Sequence, residues 1–427
     1  MNIINGDCLE ELKKLEDNSV DAVITDPPYG LSNTKPQQVA DVLKAWVTGD
    51  TVSVPAKRGG FMGKDWDSFV PPPAVWEECM RVRKPGGHMA VFAGARTQDL
   101  MGLSIRLAGF EIRDTLGWVY GSGFPKSQNI ARQLDKTLGE DVPIGKSFNT
   151  AGGGDRESEF ANNGRSEAHK QWSPMSDAAK QWDGWGTALK PAIEPIILAR
   201  KPLDGTVANN VLAHGVGGLN IDACRVEAGD LEELQKNWDR MQSANQGIAS
   251  EGLGQIDLSD RKPAGRFPAN VLLDEHAAKE MDKQSGNVRG VIGMKKVSGG
   301  HNFNIGEHTP QKFNKTSGQI KDSGGASRFF PVFKYQAKAP KRERPVIEHE
   351  DGTKIQHPTV KPVALMEWLV SLIVPPGGVV LDPFAGSGTT LQAALNKGFT
   401  PIGIEQDADY IKLIEKRLEE TCKTPKS

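Results

Sequence analysis

The fold class is decided by one stretch of sequence, Val379-Val380-Leu381-Asp382-Pro383-Phe384-Ala385-Gly386-Ser387-Gly388-Thr389-Thr390. Its apolar start indicates a buried strand, the two glycines indicate a tight turn, and the threonines begin a helix. In α/β sheets, such a unit binds nucleotide-like ligands at the carboxyl end of the strand. Glu405 follows 19 residues after Gly386, at the end of the next predicted strand, where a carboxylate can accept hydrogen bonds from both ribose hydroxyls.

The kind of ligand is narrowed by two motifs that the chain lacks. Dinucleotide binding requires a third glycine, but Leu391 stands at that position. A P-loop is excluded because Gly139 lies one residue too far upstream of Gly145-Lys146-Ser147. An adenosine-containing ligand without a pyrophosphate remains, and S-adenosylmethionine is the obvious one. The alternative to ligand binding is that this glycine turn has a purely structural role.

Both ends of the chain alternate between strand and helix patterns, which predicts a mostly parallel sheet with helices on both faces. The predicted strands are 2–5, 20–25, 88–93, 111–120, 195–199, 379–381 and 400–404. Two of these runs, 111–120 and 195–199, are expected to pair as a hairpin around a long insertion. Neither end has enough strands alone, so we predict one Rossmann-like sheet built from both chain ends. The polar, glycine-rich middle is then an inserted, irregular domain.

Composition bounds the class of protein. The 427 residues exceed one ordinary domain, and 52 Lys and Arg against 54 Asp and Glu leave a net charge of −2, which excludes a histone-like basic protein. The four cysteines are far apart, which argues against a disulfide scaffold or a zinc site, so no metal is expected. Neither a membrane-spanning run nor a signal peptide is visible, and a cytoplasmic location is expected.

A second motif, Asp26-Pro27-Pro28-Tyr29, follows the predicted strand 20–25. The lone pair of an exocyclic base amine is delocalised into its ring, which makes the nitrogen a poor nucleophile. If Asp26 and the Pro27 carbonyl accept hydrogen bonds from that amine, its lone pair is freed for attack on an electrophile. The prolines fix φ and hold these acceptors rigidly, while Tyr29 offers a face for a base that has left the duplex. The alternative is a proline-stiffened strand end.

These two motifs together resemble the β group of the DNA amino-methyltransferases, which modify adenine N6 or cytosine N4 with S-adenosylmethionine. In that family the Asp-Pro-Pro-Tyr motif is catalytic, and this assigns Asp26, Pro27, Pro28 and Tyr29. The glycine turn is the family's cofactor motif. The order of the motifs, catalytic first and cofactor last, implies that the variable region between them recognises the DNA target. The resemblance covers both terminal thirds well and the middle poorly.

The resemblance also assigns further residues one by one. It implies that Asp7, in Asn5-Gly6-Asp7-Cys8, contacts the cofactor adenine, and that the segment His357–Pro362 cradles its methionine part. Phe384 would pack near the adenine and Glu405 would bind the ribose. The implied cofactor-binding residues are Asp7, Cys8, His357, Thr359, Lys361, Asp382, Phe384, Ala385, Gly386, Gly388, Thr389 and Glu405.

The chain divides accordingly into five predicted segments. Residues 1–120 form the catalytic half, 121–190 an insertion or flap, 191–202 a returning strand, 203–345 the target-recognition domain, and 346–427 the cofactor-binding half. Positions 284–344 hold 12 Lys and Arg against three acidic residues, and this excess has two open interpretations, a solvated basic face or a surface that contacts DNA phosphates. Arg328, Lys334 and Lys338 are the candidates for DNA binding.

The predicted function is site-specific methylation of adenine N6 in a flipped base of double-stranded DNA. Adenine is favoured over cytosine N4 because the family more often pairs Asp before Pro-Pro-Tyr with adenine, but cytosine N4 stays an alternative. Methylation of RNA or of a protein amide is a further alternative, as is a catalytically dead DNA-binding relative. A homodimer and a cognate restriction endonuclease are open as partners, and no membrane partner is expected.

Overall fold

The computed structural model describes residues 2–32, 34–55, 67–121, 123, 127–140, 142, 172–227, 265–291, 319–333, 343–348 and 351–423. The chain forms two compact units. One comprises Met1–Ser122 together with Ile193–Ser427, and the other comprises Gly123–Ala192. The first unit holds both of the motifs that the sequence singles out.

The secondary structure of the described residues alternates between strands and helices at both ends of the chain. The strands are β1 Asn2–Asn5, β2 Ala22–Thr25, β3 His88–Phe92, β4 Glu111–Val119, β5 Ile193–Arg200, β6 Val271–Asp274, β7 Val288–Val291, β8 Gln319–Gly324, β9 Val332–Phe333, β10 Ile347–Glu348, β11 Lys354–Ile355, β12 Val379–Asp382 and β13 Thr400–Glu405. The α-helices are Cys8–Leu12, Pro36–Val47, Pro73–Val82, Gln98–Leu107, Ile130–Thr137, Asp177–Gln181, Val207–His214, Glu275–Ser285, Val363–Ile373, Thr389–Asn396 and Ala408–Lys423.

Nine strands form one sheet in the order β1-β13-β12-β2-β3-β5-β4-β6-β9. All neighbours pair in parallel except β5, which is antiparallel to β3 and to β4. Strands from the two ends of the chain are interleaved, because β12 pairs with β13 on one side and with β2 on the other. The carboxyl ends of β1, β13, β12 and β2 therefore lie along one edge of the sheet, called the carboxyl edge below.

The central strands are buried on both faces, as expected for a parallel sheet covered by helices. All four residues of β2 and all five of β3 are buried. On one face Trp76 packs with Leu381 of β12, and on the other Leu369 packs with Val380 of the same strand. The strands β2 and β12 are thus buried up to their last residues, where the two motifs begin.

The predicted Rossmann-like sheet built from both chain ends is confirmed, and so is the hairpin, in which β4 pairs with β5 from Glu111 opposite Arg200 to Val119 opposite Ile193. The prediction missed the helix Pro36–Val47. It also missed that β6 and β9, from the weakly periodic region 203–345, extend the same sheet beyond β4. These strands have four and two residues, too few for a periodicity to stand out. The boundaries of the five segments stay a prediction.

The unit Gly123–Ala192 has its own polar interior. The buried Asp135 carboxylate accepts hydrogen bonds from the backbone amides of Met175 and Ser176, at 2.9 and 3.0 Å, and from the Ser176 hydroxyl at 2.7 Å. Trp182 and Trp185 stack edge to face with ring centroids 4.9 Å apart. Across the described ranges of the whole chain, no helix is long and apolar enough to cross a membrane.

Candidate active site

The two sequence motifs meet at the carboxyl edge because β2 and β12 are adjacent parallel strands. Thr25, the last residue of β2, donates a hydrogen bond of 2.6 Å from its hydroxyl to Oδ1 of Asp382, the last residue of β12. Both side chains are buried. Asp26 and the glycine turn that begins after Asp382 therefore start from neighbouring positions, although 357 residues separate Thr25 from Asp382.

Asp26 belongs to a charged group that we call the Asp26 cluster, formed by Asp26, Tyr29, Glu194 and Lys361. Lys361 Nζ lies 2.8 Å from Asp26 Oδ2 and 3.2 Å from Glu194 Oε2. The Tyr29 hydroxyl donates to Asp26 Oδ1 at 2.8 Å and accepts from Lys361 at 3.1 Å. Burial opposes the charge on Lys361, but the two carboxylates outweigh it and raise its pKa, so the ammonium stays protonated.

Tyr29 is held by its backbone as well as by its hydroxyl. The Asp67 carboxylate accepts from the amides of Tyr29 and Gly30, at 2.6 and 3.0 Å, and the Thr97 hydroxyl donates to the Tyr29 carbonyl at 2.6 Å. Burial, followed by the charges of Asp26 and Glu194, raises the pKa of Tyr29 well above its ordinary value. The tyrosine is therefore a neutral hydrogen-bond donor to Asp26.

The glycine turn needs its glycines for reasons visible in the chain itself. Gly386 and Gly388 have φ values of +53° and +76°, in the left-handed region that side chains disfavour. A Cβ on Gly386 would stand 3.0 Å from His357 Nε2, and one on Gly388 would stand 3.0 Å from Ile414. Buried residues lie on either side of these glycines. The Ala385 amide donates to the Ile404 carbonyl at 2.9 Å, and the hydroxyls of Ser387 and Thr389 are hydrogen-bonded at 3.2 Å.

Two acidic side chains beside the turn have raised pKa values. Glu405 accepts hydrogen bonds from the amides of Gly386, 2.8 Å, and Asp407, 2.9 Å, but its burial outweighs them and raises its pKa to about 7. Burial also raises the pKa of Asp382 to about 6, against the hydrogen bonds from Thr25, Thr390 and the Phe384 amide. Both groups thus titrate near neutral pH.

Asp7 and Cys8 lie at the end of β1, next to the end of β13. The Asp7 carboxylate caps the helix Cys8–Leu12 by accepting from the Leu9 amide at 3.0 Å. Burial, then the charge of Asp7, raises the pKa of the Cys8 thiol. Phe384, in the glycine turn, packs against Trp76 of the helix Pro73–Val82, with ring centroids 6.4 Å apart. Asp7 and Glu405 are therefore brought to one edge, and Asp7 also has a structural task that the sequence analysis did not assign.

The segment before the helix Val363–Ile373 reaches both motifs. His357 Nδ1 lies 2.9 Å from the Thr359 carbonyl, and its ring stacks edge to face on Tyr410 at 4.7 Å. Burial of the ring lowers the pKa of His357. The exposed Thr359 leads to Lys361, whose ammonium lies in the Asp26 cluster. Assignment of these residues to the methionine part of a cofactor stays a prediction.

The candidate DNA-binding residues are only partly described. Arg328 Nη1 donates to the carbonyls of Gly324 and Gly325, both at 2.7 Å, and its guanidinium lies 4.2 Å from the centre of the Phe329 ring. Arg328 therefore helps to hold its own turn. Lys334 and Lys338 lie outside the described residues. Among those that are described, no group of three or more His, Cys, Asp or Glu side chains could hold a metal ion.

Sequence reasoning missed Glu194, Thr25, Asp67 and Thr97. Glu194 immediately precedes the predicted strand 195–199, so its position at the carboxyl edge follows once that strand is known to run antiparallel. Asp67 and Thr97 lie in irregular stretches that follow no period. Their contacts with the Tyr29 region therefore have no pattern in the sequence by which to find them.

The fold and this edge define a class: an α/β protein with a glycine turn and a charged Asp-Pro-Pro-Tyr motif at adjacent strand ends. The chain belongs to the DNA methylase family of N6/N4 methyltransferases, whose family pattern matches residues 20–416. The match includes both motifs and the first part of the helix that follows β13.

Two relatives illustrate how the similarity is distributed. The Type II methyltransferase M.HindIII of Haemophilus influenzae is 26% identical over 239 residues, which cover 51% of this chain and 64% of that protein. The DNA adenine methyltransferase YhdJ of Escherichia coli is 48% identical over 63 residues, covering 15% of this chain and 21% of YhdJ. The chain thus spans less than two thirds of each of these curated relatives.

Among solved structures, the chain is similar to the complex of M1.HpyAVI with SAM, at 15% identity and a TM-score of 0.38 over 98% of each chain. The cytosine-N4-specific PvuII DNA methyltransferase reaches a TM-score of 0.42 at 13% identity, over 98% of this chain and 89% of that one.

Proposed function

We propose that this protein transfers the methyl group of S-adenosylmethionine to the exocyclic N6 of adenine in double-stranded DNA. The observation that carries the proposal is the contact of Thr25 with Asp382, 2.6 Å, which joins the ends of β2 and β12. This contact places the Asp-Pro-Pro-Tyr motif beside the glycine turn. One motif can then present a base amine while the other holds a methyl donor.

The residues at the carboxyl edge fit S-adenosylmethionine by their chemistry. Glu405 keeps lone pairs for ribose hydroxyls after accepting from Gly386 and Asp407, because a carboxylate offers about four acceptor sites. Phe384 supplies an aromatic surface for an adenine. Among the described residues at this edge, acidic side chains outnumber the ammonium of Lys361, which suits a cationic sulfonium. We assign Glu405 to the ribose, Asp7 to the adenine, and the turn from Asp382 to Thr389 to the methionine part.

The bound donor supplies a methyl group: the amine lone pair forms the new N–C bond, the C–S electron pair stays on sulfur, and the methylated nitrogen then releases one proton. Asp26 accepts a hydrogen bond from the amine and so keeps its lone pair out of the ring. Pro27 and Pro28 fix the backbone that carries the Pro27 carbonyl. Tyr29 stacks on the flipped base. The main contribution to rate is the positioning of two reactants, and no strong base is needed.

Adenine is the preferred target because Asp, rather than Ser, precedes Pro-Pro-Tyr, and because the DNA adenine methyltransferase YhdJ shares a segment of 63 residues at 48% identity. Cytosine N4 presents the same kind of amine. Asp26 and the Pro27 carbonyl would accept hydrogen bonds from either base, so the chemistry of the site is shared.

The DNA would be bound by the basic part of the middle region. In the wider middle region, two exposed aromatic rings lie beside arginines: Phe329 is 44% exposed next to Arg328 and Arg266, and Phe267 is 67% exposed next to Arg225. Arginines beside exposed aromatic rings suit phosphates and bases. We propose Arg328, Lys334 and Lys338 as phosphate contacts.

The proposal is tested by incubating the protein with methyl-labelled S-adenosylmethionine and mixed-sequence duplex DNA, then separating the nucleosides. We expect label in N6-methyladenine. Label in N4-methylcytosine would keep the mechanism and change the target base. Labelled donor that binds without labelling any nucleoside would contradict DNA methylation. The same assay with RNA would then test the alternative substrate.

A further inference from the structure

The Asp26 cluster contains a second carboxylate whose purpose the methyl-transfer scheme leaves open. Glu194 lies at the start of β5, the one strand of the nine-stranded sheet that runs against its neighbours, so its side chain reaches the carboxyl edge from the opposite chain direction. It contacts Lys361 Nζ at 3.2 Å. Asp26, Glu194 and Lys361 are 20%, 29% and 12% exposed, so their charges are only partly screened by water.

Lys361 creates a problem for the reaction if it binds Asp26 alone. Asp26 already uses Oδ1 for the Tyr29 hydroxyl and Oδ2 for Lys361. Each oxygen keeps a second lone pair, but an ammonium on Oδ2 draws electron density from the carboxylate and so weakens it as an acceptor for the incoming amine. The ammonium also repels the positive charge that moves from sulfur to nitrogen during transfer. This repulsion is strongest where water is excluded.

Glu194 removes this problem by sharing the ammonium. With Glu194, the carboxylates of Asp26 and Glu194 and the ammonium of Lys361 together carry a net charge of −1. Without Glu194, Asp26 and Lys361 form a neutral pair. A net negative cluster favours the positive charge that develops on the substrate nitrogen, and a preformed arrangement of charges costs no reorganisation at that moment.

We propose that Glu194 is a positioning residue for methyl transfer: it holds the Lys361 ammonium partly away from Asp26, so that Asp26 can accept the substrate amine. The inference rests on the proposed function. Glu194 touches neither reactant in this scheme and acts only through Lys361. The competing interpretation is a structural strut, in which the three charges merely tie residues 357–362 to β2 and β5.

The two interpretations predict opposite effects on the methyl-transfer rate when a second substitution is added to Glu194→Gln. We expect Glu194→Gln to lower the single-turnover rate of methyl transfer by about tenfold, since it leaves the ammonium entirely on Asp26. Adding Lys361→Met then removes the ammonium, restores a net charge of −1 and should recover at least about threefold of the lost rate. A strut would instead lose more activity with each substitution.

Single-turnover rates of wild type, Glu194→Gln and Glu194→Gln/Lys361→Met are compared at saturating donor, with donor affinity measured by calorimetry on each protein. Glu16→Gln, an exposed carboxylate on the surface, is the matched control and should retain the wild-type rate. Donor affinity within about threefold of wild type in Glu194→Gln and Glu16→Gln shows that the edge is intact, and saturating donor offsets any affinity that Lys361→Met removes.

Each outcome decides the proposal. A slow Glu194→Gln variant that is accelerated by Lys361→Met supports it. A Glu194→Gln variant as fast as wild type overturns it, and so does a double variant slower than Glu194→Gln. If the wild type itself transfers no methyl group, the proposed function fails, which is distinguishable from failure of this inference because that inference compares variants of an active enzyme.

Discussion

At the scale of single residues, burial and hydrogen bonding act on the acidic groups of the carboxyl edge in opposite directions. Glu405 is stabilised as a carboxylate by two backbone amides, yet its burial raises its pKa to about 7. At pH 6 most Glu405 side chains are therefore protonated before any ligand binds. At pH 8 most are ionised and able to accept ribose hydroxyls with full charge.

This pKa predicts that S-adenosylmethionine binds more tightly as pH rises. If the ligand requires the carboxylate, its affinity should increase about tenfold from pH 6 to pH 8, because the ionised fraction rises by that factor. Calorimetric titration at the two pH values measures the change. Glu405→Gln should bind more weakly and lose most of this pH dependence. If the wild type binds S-adenosylmethionine with equal affinity at both pH values, the assignment of Glu405 to the ligand site is contradicted.

At the scale of elements, the strand–turn–helix from β12 into the helix Thr389–Asn396 was predictable in detail. An apolar run, two glycines and two threonines occupy adjacent positions, so the pattern is local and complete. The partners of that turn were not predictable. The placement of His357 beside Gly386 and the hydrogen bond of Thr25 to Asp382 bring together residues that are far apart in the chain. Only the rule that parallel strands end at one edge relates the motifs before the structure is known.

The turn gives a prediction for Gly386→Ala. A side chain there must adopt φ near +53° and meet His357 at 3.0 Å, so the turn should shift and move the Gly386 amide off Glu405. We expect a loss of about 1–2 kcal/mol in the free energy of unfolding from the backbone conformation. We also expect weaker binding of S-adenosylmethionine. Denaturant unfolding and calorimetry measure the two effects.

Gly377→Ala is the matched control, because Gly377 has φ +72° but nothing within 4 Å of an added Cβ. It should lose a similar stability and keep its affinity for the donor. A Gly386→Ala variant that binds the donor as tightly as Gly377→Ala would show that the His357 contact does not matter to the site.

At the scale of the whole molecule, the sheet explains why neither end of the chain could form the site alone. β12 is inserted between β2 and β13, so the catalytic and cofactor motifs share one core. Alternation at both ends predicted this arrangement, but β6 and β9 were missed because they are short and lie in a weakly periodic region. Glu194 was missed although the predicted hairpin already reverses β5, because its partner Lys361 lies far along the chain and no local pattern relates the two residues.

The distribution of charge over the molecule gives a prediction for DNA binding. The net charge is −2, yet positions 284–344 carry nine more basic than acidic residues. DNA affinity should therefore fall steeply with salt, and Lys334→Ala/Lys338→Ala should reduce the slope of log affinity against log salt by about two. Lys13→Ala/Lys14→Ala, immediately after the helix Cys8–Leu12, is the control. Equal slopes for both pairs would place the DNA elsewhere.

The central claim is that one edge of the sheet holds two separable functions, donor binding and activation of the base amine. The most direct test measures donor affinity and single-turnover methyl transfer on Asp26→Ala. The account predicts a loss of about 100-fold or more in rate, because the amine loses its charged acceptor. It also predicts donor affinity within about threefold of wild type, because Asp26 is assigned to the amine. Substantial residual turnover with the donor bound would contradict the account.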